Sequence, residues 1–309
     1  MFKGLAGWFH RLGSPAHFDA FAARWSPWCY LASLPLFAFG LWQALAVVPA
    51  DYQQGDSFRI LYIHVPSAWM SLFVFGLMAF YGAIALVWRI KLCEILAMAC
   101  APIGAAFTLI TLLTGSIWGK PMWGTWWDWD PRLTTELILL FLYLGVMGLY
   151  GAIDDRRAAA RAAALLSIVG VALLPIIRYS VVWWNSLHQG QTIRLFGESS
   201  MDGSMVLPLW LMVFATKFWF AGSLLSRARR QPAPRGRQGL GTRARGETVV
   251  SYFQYVALAY GVFFAVLAWD FAVPRLQVRR QLREVRKRLA RARRQQAAAA
   301  VADDGELSR

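Results

Sequence analysis

Long, uninterrupted apolar runs alternate along this chain with short charged connectors. A helix needs roughly 20 apolar residues to cross about 30 Å of hydrocarbon. Six runs meet that length, at approximately 29–48, 66–88, 95–117, 133–153, 162–181 and 205–225, and the first three contain no charged residue. A seventh, weaker run covers about 252–270. The runs do not alternate apolar and polar positions, as the ~10-residue strands of a membrane β-barrel would. Helices remain as the spanning structure, because each satisfies its own backbone hydrogen bonds in lipid. The pattern predicts an all-α integral membrane protein, a six-helix transmembrane bundle plus one additional C-terminal hydrophobic helix.

The connectors set an orientation. The segments 1–28, 89–94, 154–161 and 226–251 hold 15 Lys and Arg residues, and the alternate set 49–65, 118–132 and 178–204 holds 5. Basic residues concentrate on the cytoplasmic side, so the N-terminus is expected inside and three loops outside. After the sixth run, SRARRQPAPRGRQGLGTRARGETVV (226–250) is rich in Arg, Pro and Gly and reads as a flexible linker. The basic stretch Arg275 to Arg294 keeps Leu and Val at near-helical spacing, as expected of a helix against an anionic surface or of a solvated charged tail. The expected division is a six-span domain at 1–226, a basic linker at 227–250, a single hydrophobic helix with a basic tail at 251–295, and a disordered tail at 296–309. A full seventh span would carry that tail outside, against the charge rule. Either it is exported despite its charge or 252–270 does not cross simply.

Composition narrows the function classes. A net charge of +15 suggests nucleic acid at first sight, but 58% of the residues are hydrophobic, only 16% are charged and the mean hydropathy is +0.42. No soluble domain is left to bind nucleic acid. The three cysteines, Cys29, Cys93 and Cys100, form no C-x-x-C and no C-x-x-C-H. A thioredoxin-like site and a covalent haem site are therefore not expected. Residues 1–28 carry charge and no long apolar core, so no cleaved signal peptide is expected.

Candidate chemistry concentrates in the outer connectors. Residues 118–132 read WGKPMWGTWWDWDPR, and five of these fifteen are tryptophan: Trp118, Trp123, Trp126, Trp127 and Trp129. An interfacial belt of indoles explains one or two per span end. It does not require five in one loop with Gly119, Gly124, Asp130 and Arg132. Clustered indoles with glycine spacers suggest a flat apolar platform that a large planar ligand can approach closely. The chain has four histidines. His10 and His17 fall in the cytoplasmic N-terminal segment, His64 in the first outer loop and His188 in the third. Imidazole is a common axial ligand of haem iron, and two imidazoles from different span ends could take one iron from opposite faces. The propionates would need cations, and Arg132 is the nearest candidate. Two histidines without cysteine or carboxylate clusters are a poor zinc set.

Some of these residues also have plainer roles. Pro131 and the Leu-Thr-Thr after Arg132 resemble a helix start, with Asp130 as its cap and Arg132 placed to pair with Glu136 one turn on. Lys217 lies inside the sixth run, where a charge is a functional suspect, although its stem can snorkel.

The run WGKPMWGTWWDWDPRLT resembles the tryptophan-rich WWD motif of haem-handling membrane proteins in cytochrome c biogenesis. That motif is approximately W-G-x-x-W-x-W-D-x-R-L-T, met here by Trp123, Gly124, Trp126 or Trp127, Trp129, Asp130, Arg132, Leu133 and Thr134. RILYIHVPSAWMS and VVWWNSLHQG look like the flanking histidine segments of the haem exporter protein C (CcmC) family, and the six-span layout agrees over about 28–226. Val182 departs from the acidic residue that often precedes the two tryptophans, and Asp128 lies at a variable position. The resemblance implies haem b held at the periplasmic face of a bacterial inner membrane, with His64 and His188 as axial ligands and the Trp-rich loop as platform. It implies delivery to a periplasmic haem chaperone (CcmE family), whose release is driven by ABC transporter subunits (CcmA and CcmB families). Residues 245–295 look like the small partner of the same system, protein D (CcmD family), which implies a C–D fusion, natural or engineered.

Other roles compete. A cytochrome c haem lyase or synthetase shares the WWD motif but tends to be larger or to carry further histidines within spans, and none is expected inside a span here. A bis-histidine electron carrier normally pairs its ligands within the bundle. A haem permease needs a polar pathway, for which only Lys217 and Glu136 stand out. A haem-binding transfer module, rather than a turnover enzyme, fits best.

Overall fold

A computed structural model of the protein describes residues 15–184, 186–188, 201–230 and 283. Among them the regular elements are helical, apart from an isolated bridge between Asp51 and Gly55. Helix α1 (Pro15–Trp42) runs into a π-helical turn (Gln43–Val47), and a 3-10 turn (Asp56–Ile60) leads into α2 (Leu61–Trp88). Then follow α3 (Lys91–Trp123), α4 (Pro131–Ala152), α5 (Arg156–Gly170), α6 (Leu173–Trp183) and α7 (Gly203–Arg230). Among the described residues six stretches are long and apolar enough to cross a membrane, α5 and α6 together making the fifth. The chain is therefore a multi-pass membrane protein, as the apolar pattern predicts. Helix α7 continues to Arg230, into the stretch expected to be linker. The expected C-terminal hydrophobic helix and the tails lie outside the described residues.

Helix α3 is the hub. Its 33 residues reach about 50 Å at ~1.5 Å per residue, well beyond the ~30 Å hydrocarbon layer. Its apolar window is 78% buried, against 17% for the first span. It packs on α2, α4 and α7, while α1 lies along α7 and α5 lies against α4 and α2. Apolar helices gain little hydrophobic drive from meeting in lipid, so small residues and close backbone approach hold such a bundle. The buried run Leu96–Ala101 provides several of them. At Gly104 a Cβ would stand 2.1 Å from Cζ of Tyr143, so only glycine admits that ring. Tyr143 then donates its hydroxyl proton to the Ser71 carbonyl at 2.7 Å, and Ser71 Oγ lies 2.6 Å from Glu136 Oε1.

Three boundaries differ from expectation. The fifth run, read as one span over 162–181, breaks at Val171–Ala172. Pro175 has no N–H for the Val171 carbonyl, and its ring crowds that carbonyl. Tighter bonds carry the chain round instead, from Val171 N to Ile168 O and from Ala172 N to Val169 O, both 3.2 Å. Helix α3 continues through Trp123, so Trp118 and Trp123 are helical rather than part of a loop. Helix α2 begins at Leu61, so His64 lies in the first turn of the second spanning helix and not in a loop. Leu61 and Tyr62 are buried and extend the apolar face of that helix backwards.

Candidate functional site

Thr114 and Trp118 are four residues apart near the C-terminal end of α3, a spacing that puts them on one helix face. His64 of α2 lies against that face. Its Nδ1 is 3.0 Å from Thr114 Oγ1, and its ring meets Trp118 edge-on, 5.7 Å between centroids. Gly115 leaves room for the imidazole, since a Cβ there would stand 3.2 Å from His64 Cε1. Trp118 is itself held by Gln54, whose side-chain oxygen accepts the indole N–H at 3.0 Å. The single hydroxyl proton of Thr114 goes to backbone carbonyls, Ile110 at 2.6 Å with Thr111 at 3.2 Å. Toward His64 the oxygen can then only accept. The hydrogen-bond network thus puts the proton of His64 on Nδ1 and leaves the lone pair on Nε2, the form a metal takes.

His188 reaches the same form by another route. Asp130 is only 4% exposed and caps α4, its Oδ1 accepting the Arg132 N–H at 2.9 Å. The same oxygen lies 3.0 Å from His188 Nδ1, and Oδ2 accepts the Leu187 N–H at 2.8 Å. Burial pushes the Asp130 carboxyl up, but hydrogen bonds from His188, Ser186 and the Arg132 amide outweigh it and hold the group well below the usual carboxylate range. An ionised carboxylate accepts only, so the Nδ1 of His188 carries a hydrogen toward Asp130. Trp123 packs against this ring at 4.8 Å. Gly124 ends α3 in the left-handed region, at φ 77°, with its N–H on the Lys120 carbonyl at 3.1 Å. That turn releases the chain from α3 at the position where Trp123 faces His188.

The five tryptophans divide among three places. Trp118 accompanies His64 and Trp123 accompanies His188, while Trp126, Trp127 and Trp129 lie on the connector to α4. Trp126 and Trp129 are 58% and 43% exposed, and Trp127 meets Trp129 edge-on at 5.6 Å. Arg132, in the first turn of α4, is half-buried and within electrostatic reach of His64, Glu136, Asp130 and Arg178 of α6. The expected direct Arg132–Glu136 pair is not formed among the described residues, because Glu136 turns inward to Ser71 on α2. Thr134, at the end of the motif, has a buried hydroxyl with no hydrogen-bond partner in the structure. Lys217 stands over the Phe73 ring, 6.0 Å from its centroid, rather than beside the histidines. His17 belongs to α1, and His10 lies outside the described residues. Thr114, Gly115 and Gln54 were not expected at the site. A threonine, a glycine and a glutamine in apolar or polar context carry no chemical signature in a single sequence.

Fold and site together define a class: a polytopic helical membrane protein in which two histidines, held at Nδ1 by Thr114 and Asp130, flank the Trp-bearing end of the central helix. The chain belongs to the haem exporter protein C family. Residues 8–240 match the family model described as "Heme exporter protein C" (CcmC), and residues 251–300 match that of "Heme exporter protein D" (CcmD). The C-terminal segment is thus a CcmD-type unit carried in the same chain. Heme exporter protein C of Bradyrhizobium diazoefficiens is 50% identical over 220 residues, covering 71% of this chain and 83% of that protein. The Escherichia coli K12 protein of that name is 49% identical over 220 residues, covering 71% and 89%. The Paracoccus denitrificans protein of that name is 38% identical over 220 residues, covering 71% and 90%.

Proposed function

We propose that this protein binds haem b between His64 and His188 at the periplasmic face of a bacterial inner membrane and delivers it to a periplasmic haem chaperone of the CcmE family. Family membership supports the coarser role, in haem export and cytochrome c maturation. The observation that carries the finer reading is the pair of contacts at Nδ1. Thr114 and Asp130 hold the two Nδ1 atoms, so each histidine has an Nε2 lone pair to offer. No cluster of three or more His, Cys, Asp or Glu side chains suits a bare metal ion among the described residues. A porphyrin supplies four equatorial nitrogens itself and asks the protein only for axial ligands.

The remaining residues suit the same cargo. Trp118, Trp123, Trp126, Trp127 and Trp129, with Gly124 between them, offer indole surface to an apolar macrocycle. Arg132 offers a guanidinium to a propionate. Haem held by coordination alone, with no C-x-x-C-H to anchor it, can be released again. The protein then works as a binding and transfer module, in complex with the CcmA and CcmB transporter subunits and with its own CcmD-like segment. The basic connectors support an N-terminus in the cytoplasm and a site outside.

The test is spectroscopic. Purified protein is expected to show a haem Soret band with a six-coordinate spectrum, and His64→Ala and His188→Ala each to weaken or shift it. An unchanged spectrum in both variants refutes the ligand assignment.

A further inference from the structure

We propose that the two axial histidines are unequal, and that His64 is the ligand that yields when the iron takes another base. The inference rests on the haem-site reading above and concerns how the site lets go. Imidazole donates more strongly to a metal when the acceptor on its far N–H is more basic. On His188 that acceptor is the Asp130 carboxylate, both of whose oxygens receive N–H groups. On His64 it is a neutral hydroxyl, that of Thr114, whose own proton is committed to the backbone carbonyls of α3. A charge-assisted hydrogen bond is roughly twice as strong as a neutral one. The bond from His188 to iron is therefore the firmer one.

Anchoring points the same way. Asp130 grips the His188 segment at two successive residues, by the Leu187 N–H and by the His188 ring, while also capping α4. Ser186 adds a third tie, accepting the His188 N–H at 3.1 Å. His64 rests on neutral groups, the Thr114 hydroxyl and the Thr111 backbone carbonyl, together with the Trp118 edge. Thr114 is thus a positioning residue that tunes how readily the His64 side opens. In the exchange step the iron–Nε2 bond of His64 breaks and its electron pair stays on Nε2. The lone pair of the incoming base makes the new bond, with no net electron transfer.

The experiment uses the full chain, purified in detergent and loaded with ferric haem, with cyanide as the incoming base. Thr114→Val keeps the shape and removes the acceptor, and Thr114→Ser keeps the acceptor. Cyanide exchange, followed at the Soret band, is expected to be about tenfold faster in Thr114→Val and unchanged in Thr114→Ser. Thr114→Ala makes the same comparison where valine does not pack. In the ferrous carbon monoxide adduct the Fe–C stretch reports the ligand left on the opposite face. That frequency is expected to be the same in wild type and Thr114→Val, since His188 and Asp130 remain. An exchange rate in Thr114→Val within about twofold of wild type overturns the proposal. So does a shifted Fe–C stretch, which would mean that His64 is the ligand retained. A wild-type protein without a bis-imidazole spectrum overturns the haem site itself, which separates the two failures.

Discussion

Asp130 joins two jobs in one carboxylate, and two substitutions separate them. Asp130→Ala removes the α4 cap, worth about 0.5–2 kcal/mol. It also removes the bonds to the Leu187 N–H and the His188 ring, each worth about 1.5–3 kcal/mol with a charged acceptor. Much of that energy holds the 186–188 segment against α4, so its loss is expected to free His188 more than to unfold the bundle. Asn caps a helix about as well as Asp. With its oxygen in the Oδ1 position, Asp130→Asn keeps the Arg132 and His188 contacts but points an amide NH2 at the Leu187 N–H. One bond and the charge are lost, about 1.5–3 kcal/mol. The assay is thermal unfolding in detergent beside haem titration at the Soret band. Haem affinity should fall in the order wild type, Asp130→Asn, Asp130→Ala, by roughly 10- to 100-fold for the alanine. Wild-type affinity and unfolding temperature in Asp130→Ala would refute the linkage between α4 and His188. Equal damage from Asn and Ala would refute the separation of cap from carboxylate.

The remaining predictions are brief. The folded Asp130 carboxyl titrates below its unfolded value, so its stabilisation is complete above about pH 5 and fades as pH falls further toward the folded pKa. The stability gap between wild type and Asp130→Asn should accordingly be constant above about pH 5 and narrow in stronger acid, as read by denaturation at each pH. Gly115→Ala puts a methyl 3.2 Å from His64 Cε1. It is expected to lower haem affinity severalfold with little change in unfolding temperature, and the reverse pattern would show that Gly115 serves packing alone. Gly104→Ala drives a methyl into the Tyr143 ring at 2.1 Å. Overpacking of that kind should destabilise the bundle by about 1–3 kcal/mol or more, while the protein that still folds keeps its haem spectrum.

The six spans and the capping role of Asp130 are both legible from local pattern. A run of apolar residues long enough for the bilayer has one structural solution, and an Asp-Pro pair ahead of Leu-Thr-Thr starts a helix wherever it lies. His64, His188 and the tryptophans could likewise be picked out by type. Their surroundings could not. Trp118 to Arg132 do not form a single loop because α3 overshoots the hydrocarbon, and an apolar count ends where the lipid does rather than where the helix does. His64 is helical for the same reason at the start of α2. The break at Val171 was open to reading, since Pro175 is visible, but an apolar run conceals it.

Membrane residence, helix number and an inventory of haem-competent side chains follow from the order of residues alone, because each depends on one continuous run of chain or on residue type. The state of those side chains does not. His64 meets Thr114 across 50 positions of chain, and His188 meets Asp130 across 58. Which ring nitrogen carries a proton depends on where the partner's own proton goes, and those partners meet only once α2, α3, α4 and the segment after α6 come together. The same packing turned Glu136 toward Ser71 rather than toward Arg132, since a buried carboxyl takes the donor that the neighbouring helix presents.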